Sequence, residues 1–193
     1  INRAVIDLGN QKLAVYAAHL DYTHYACYLP RGYDGVTWKE RDLPVSVKEV
    51  LAQNDASKRI MQIRCLLRQA ERDRKAGCQI IIGGDFNEPS CLDWEADTKD
   101  LYDHHGFIIP WTTTRLLDES GYKDAYRVMY PSAVTHPGFT WVADNSDAKI
   151  EELAWAPKAD ERDRIDFVFY KGEKLFVRDA AILGPKGSIL RGK

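Results

Sequence analysis

The stretch IIIGGDFNEPS, residues 80–90, sets the terms of the fold. Three isoleucines in succession read as a buried strand, bounded on one side by Gly77 and on the other by Gly83 and Gly84. The strand runs directly into Asp85 and Asn87. In extended geometry these two residues point to the same side. A carboxylate beside an amide can bind a cation, take a proton from water, or donate to a developing oxyanion without titrating. The same residues also suit an Asx-capped turn between strand and helix.

Working outward, residues 58–76 carry an apolar stripe at Ile60, Ile63, Leu66, Leu67 and Ala70, which predicts a helix. Ser57 or Asp55 is placed to cap its start and Gly77 to end it. Further upstream, QKLAVYAAHLDY (11–22) alternates and then turns apolar, predicting a strand that ends near His19. Strand, loop, helix and strand in this order give α/β connectivity, where reactive groups collect at strand ends. Between them, residues 22–46 are rich in aromatics and turn formers, which suggests a functional loop with little regular structure.

Downstream, Ser90 is placed to cap a short helix through DWEADTKDLYD. TTTRLLDES and GYKDAYRVMYP read as two short helical pieces, and GFTWVA as a short strand. The segment ADERDRIDFVFYKG becomes a strand, and VFY and LFV on either side of KGEK predict a β-hairpin. No linker, repeat or low-complexity segment divides the chain, so a single domain over residues 1–193 is expected.

Two further motifs place charge beside apolar strands. In RDRIDFVFY, Arg164 and Asp166 straddle Ile165 and are expected to share a face. A carboxylate at the head of Phe167–Tyr170 is costly unless paired, so a histidine or a cation is expected near Asp166. An Arg164–Asp166 surface pair satisfies the same pattern. In AAHLDY, His19 closes an apolar strand, as a catalyst or as a satisfied structural residue.

Composition narrows the classes. The 193 residues carry a formal net charge of −2, with 45% hydrophobic and 29% charged residues, as in a globular domain with a sizeable core. No apolar run approaches the roughly 20 residues of a membrane-spanning helix. The balance provides no global basic field for sequence-blind nucleic-acid binding. Cys27, Cys65, Cys78 and Cys91 form no CxxC pair and are expected as free thiols, which favours a cytoplasmic setting without fixing one. The chain opens on INRAVIDLGN without an initiator Met, so an upstream segment is expected.

Taken together, GGDFN (83–87), DRIDFVF (163–169) and AAHLDY (17–22) resemble, in order and kind, the GDFN, RIDY and THLD motifs of the endonuclease/exonuclease/phosphatase superfamily. Arg59 and Gln62, YKDAYR (122–127) and GFTW (138–141) add softer matches. The resemblance covers nearly the whole chain. It implies a deoxyribonuclease I-like four-layer α/β sandwich, with two β-sheets face to face and helices outside. It also implies hydrolysis of phosphate esters with Mg²⁺ or Mn²⁺ held at Asp85 and Asn87. Asp85 would activate the attacking water, Asn87 would orient Asp85 and bond the phosphate, and His19 would contact the phosphate. Asp166 would pair with an active-site histidine.

For substrate contacts, Tyr28, Arg31, Trp141 and Arg164 are the candidates. The 22–38 loop would wall the site, although its rings would equally pack a small satellite core. A nuclease acting on DNA or RNA is the alternative activity. A catalytically inactive binding or scaffold domain is the alternative of another class.

The family's QE motif does not precede residue 17, and its SDH motif does not follow GPKGSILRGK. The chain is therefore expected to be a fragment lacking its first strands and last motif. Its exposed sheet would be covered by a homo-oligomeric partner or by a second chain.

Overall fold

The computed structural model describes residues 1–42, 46–141 and 155–183. Its centre is a five-stranded mixed sheet in the order β1-β2-β3-β5-β4. The strands are β1 (Asn2–Asp7), β2 (Lys12–His19), β3 (Cys78–Asp85), β4 (Lys123–Asp124) and β5 (Asp166–Lys171). β2 and β3 are parallel, and the other neighbours are antiparallel. The helices are α1 (Val47–Asp55), α2 (Arg59–Lys75), α3 (Thr112–Glu119) and α4 (Ala125–Met129).

Helix α2 matches the apolar stripe, with Ile63, Leu66 and Ala70 buried. At its start Ser57, one of the two expected caps, is joined by a residue from outside the helix. The Asp21 carboxylate accepts the Lys58 amide at 2.8 Å, while Ser57 Oγ receives the Arg59 amide at 3.3 Å. After α2, Gly77 takes φ +87° and lets the chain reverse directly into β3.

The sheet is packed on one face. Alternate residues Ala14, Tyr16 and Ala18 of β2, Ile80 and Ile82 of β3, and Phe167 and Phe169 of β5 bury against Ile63, Leu66, Ala70 and Leu117 of the helices. Each large aliphatic or aromatic side chain contributes about 1.5–3 kcal/mol by leaving water. A second cluster, built from α1 and the connecting segments, holds Tyr25, Tyr28, Leu29, Tyr33, Val50, Trp94, Ile109, Trp111 and Ile165. The aromatic residues of the 22–38 loop thus pack a satellite core, except Tyr22, which is 63% exposed. On β1, the Arg3 guanidinium and, from β2, the Tyr16 hydroxyl both meet Asp73 of α2 and tie the edge of the sheet to the helix.

The expected four-layer sandwich is not the architecture: one sheet with helices against one face replaces two sheets face to face. The alternation of the strands gives the reason. Leu13, Val15, Gln79 and Ile81 are only partly buried, and Ala17 and Val168 are exposed, so no second sheet packs on that face among the described residues. Other expectations also change. DWEADTKDLYD forms turns, not a helix, and no strand follows KGEK among residues up to 183, so the hairpin does not form. Of GFTWVA, Trp141 makes an isolated bridge to Asp163. The end of that stretch and GPKGSILRGK lie outside the described residues. INRAVID, unassigned in the sequence reading, forms β1 and pairs with β2 through a turn in which the Gly9 amide donates to Asp7 Oδ1 at 2.8 Å. No helix among the described residues is long and apolar enough to cross a membrane.

Candidate active site

Parallel pairing places His19 opposite Asp85, and antiparallel pairing places Asp85 opposite Asp166. The three therefore form a row across β2, β3 and β5. Their neighbours two residues back (Ala17, Gly83 and Val168) form the next row on the same, open face. His19 Nε2 lies 3.7 Å from Asp85 Oδ2. The imidazole is 74% exposed and the Asp85 side chain 32% exposed.

Close strand approach makes this row possible. Gly84 has φ +136°, and a Cβ there would lie 1.8 Å from the Ala18 carbonyl oxygen. Only glycine permits that contact.

Asn87 does not continue the strand. Its φ of +49° turns the chain back, and its amide donates to Asp85 Oδ1 at 2.8 Å. This is the Asx turn, not the extended pair. The Asn87 side chain donates through Nδ2 to the Leu20 carbonyl at 3.0 Å, and the Leu20 amide donates to the Asp85 carbonyl at 2.9 Å. The site turn and the end of the histidine strand are thereby tied together.

Burial pushes the Asp85 carboxyl above its ordinary value, and the neighbouring Asp166 charge adds to the shift. The Asn87 N–H and His19 oppose it. Asp166 is exposed, and the described residues give its carboxylate no ion pair. Thr140 Oγ instead fixes its backbone, accepting from the amides of Ile165 and Asp166 at 3.1 Å each.

The residues read as substrate contacts lie elsewhere. Arg31 is enclosed, donating to Asp163 at 2.5 Å and to the Tyr102 and Arg162 carbonyls. Tyr28 is fully buried and donates to Glu161 at 2.5 Å; Trp141 Nε1 donates in turn to the Tyr28 hydroxyl at 3.4 Å. Arg164 is buried between Asp93 and Asp124. It parts from the exposed Asp166 instead of sharing its face, because the strand begins only at Asp166. Internal carboxylates hold Arg31, Tyr28 and Arg164 in the satellite core and the loops around it, and Trp141 reaches them through the Tyr28 hydroxyl.

The sequence reading missed Glu88 and Asn54. Glu88 is buried, accepts from Asn54 at 2.8 Å and from Thr113 Oγ at 2.8 Å, and braces the segment after Asn87. A charged residue directly after a strand-end motif was the available signal.

Mg²⁺ commonly uses one or two carboxylates, completing its shell with water and phosphate oxygens. Asp85 and Asp166 offer such a pair. The Asn87 amide, donating through Nδ2, leaves its oxygen as a further ligand. Among the described residues no group of three or more His, Cys, Asp and Glu could hold a metal ion.

No family model matches the chain. It is 32% identical over 161 residues to an uncharacterized Caenorhabditis elegans protein, F14F9.5. The match covers 81% of this chain and 46% of that protein, so the chain spans about half the length of the relative.

Proposed function

We propose that the protein belongs to the endonuclease/exonuclease/phosphatase superfamily and hydrolyses phosphate esters, with Asp85 activating the attacking water. The observation that supports this reading best is the row His19–Asp85–Asp166 with Asn87 bound to Asp85.

Asp85 is well suited to the base role. Without a cation, burial makes it a stronger base than an ordinary aspartate, and the Asn87 N–H on Oδ1 leaves Oδ2 open to water or to a cation. His19 reaches out beside it, exposed enough to bond a phosphate oxygen. A phosphate approaching Asp85 and Asp166 meets like charge, which calls for a cation. Mg²⁺ or Mn²⁺ at Asp85 and Asn87 would supply that neutralisation. Whether the ester is small or part of a nucleic acid is decided by the surfaces flanking this row. The net charge of −2 favours the small ester.

The open sheet face beside the row, with Ala17 and Val168 exposed, supports a further reading, that a second copy or a second chain covers it. A catalytically inactive binding or scaffold domain is the competing function.

Hydrolysis of bis(p-nitrophenyl) phosphate with Mg²⁺, abolished by EDTA and by Asp85→Asn, is the expected result. Saturable binding of such esters without turnover, unchanged by Asp85→Asn, would select the scaffold instead.

A further inference from the structure

The Arg59 side chain is wholly buried, yet it touches the active-site row nowhere. Its guanidinium is spent on the two segments that leave the row. Nη1 donates to the carbonyls of Asp21 at 2.7 Å and Thr23 at 2.9 Å. Nη2 donates to the His24 carbonyl at 2.9 Å and to Asn54 Oδ1 at 2.8 Å. Nε faces Glu88 Oε2 at 3.5 Å. The first three partners lie two to five residues beyond His19, and Glu88 directly follows Asn87. Asn54 closes the circle by donating to Glu88. One turn along α2, Gln62 Oε1 accepts the Asp21 amide at 2.9 Å.

We infer that Arg59, with Gln62, is a positioning residue of the candidate site: it sets the separation between the end of the histidine strand and the Asp85–Asn87 turn. A planar fork with five N–H donors can gather three carbonyls of one loop and face a carboxylate of another at the same time. A lysine, with a point charge and three donors, cannot. A buried guanidinium also demands that these partners stay in place, because leaving it unpaired is costly. The geometry it enforces is the one that lets Asn87 bond Leu20 and lets His19 stand beside Asp85. Misplacing a catalytic group by about 1 Å is enough to cost roughly a hundredfold in rate.

The inference rests on the phosphoesterase reading for its kinetic arm alone. In the 193-residue chain, Arg59→Lys and Gln62→Met are compared with the parent by nuclear magnetic resonance and by hydrolysis of bis(p-nitrophenyl) phosphate with Mg²⁺. The expected signature is displaced resonances for the Asn87 side-chain amide and the His19 ring, with the amides of Ile80 and Phe169 unmoved. Solvent exchange of the Asn87 amide should rise by about tenfold as its bond to Leu20 loosens. In the kinetic arm, kcat should fall about tenfold with KM nearly constant, since the loss is in alignment and not in binding. Gln62 is only half-buried, so its variant gives the reading even if Arg59→Lys does not fold. Variants that melt lower but keep the parent's Asn87 and His19 resonances would overturn the inference and leave Arg59 a stabiliser of the fold. Absence of hydrolysis by the chain extended at both ends would refute the phosphoesterase reading, and the resonances of the 193-residue chain would still decide the role of Arg59.

Discussion

His19 and Asp85 stand side by side across the parallel β2–β3 pairing, with Nε2 and Oδ2 3.7 Å apart. Neither is the other's buried partner. The histidine is largely open to solvent, and the carboxylate is bound from below by the Asn87 amide. This arrangement leaves both groups free to meet a third molecule, and the predictions follow from it.

Asp85→Asn should lower turnover on a chromogenic phosphodiester by at least about a hundredfold, as expected when a general base is removed. The fold should survive, since Asp85 closes a strand and does not fill the core. Steady-state kinetics beside a circular dichroism melt checks both halves.

The same carboxyl makes stability depend on pH. Its folded pKa is raised, chiefly by burial, so the protonated form is favoured in the native state. The stabilisation is fully present below the ordinary aspartate value and is lost as pH rises through the raised one. Asp85→Asn should therefore melt higher than the parent at neutral pH, with the difference vanishing at low pH. Thermal melts of the two proteins across this range, without divalent cation, check it: a variant that melts no higher than the parent at neutral pH would contradict the raised carboxyl.

Arg31→Met leaves Asp163 buried without its cation. Breaking such a pair costs about 3–5 kcal/mol. Denaturant unfolding should show this loss. In preparations that remain folded, KM should match the parent, because Arg31 is committed to Asp163, Tyr102 and Arg162 inside the protein.

The two faces of the sheet should respond differently. Ile82→Ala removes a fully buried side chain and should cost about 2–5 kcal/mol. Val168→Thr changes a side chain that is 53% exposed and should stay within about 0.5 kcal/mol. A large loss at Val168 would mean that this face is covered in solution, and light scattering would then show whether a second copy covers it.

The elements that the sequence displays most clearly are those whose side chains alternate or recur. The stripe from Ile63 to Ala70 matches α2, and the runs ending at His19 and Asp85 match β2 and β3. The meeting of His19, Asp85 and Asp166 could be anticipated because each ends or begins an apolar strand. What stayed hidden depends on contacts across the chain. Asp21, far from α2 in sequence, caps its first turn. At Asn87 the sequence leaves two readings open, and the positive φ selects the Asx turn over the extended pair. Arg31 and Tyr28 looked like substrate contacts because charge and aromaticity in a loop suggest exposure, and Arg164 because it was expected to share a face with Asp166. Their partners Asp163, Glu161 and Asp93 instead draw them inward. The expected second sheet required strands that the described residues do not form.

The parallel pairing of β2 with β3 also constrains when the site comes into being. An antiparallel neighbour such as β1 can zip onto β2 through a short turn as soon as both emerge. β3 can reach β2 only after the chain has crossed over through α1 and α2, and closing so long a loop is entropically expensive and slow. His19 and Asp85 therefore become neighbours late in folding. In a refolding experiment, catalytic competence should be the last signal to recover, after helical circular dichroism.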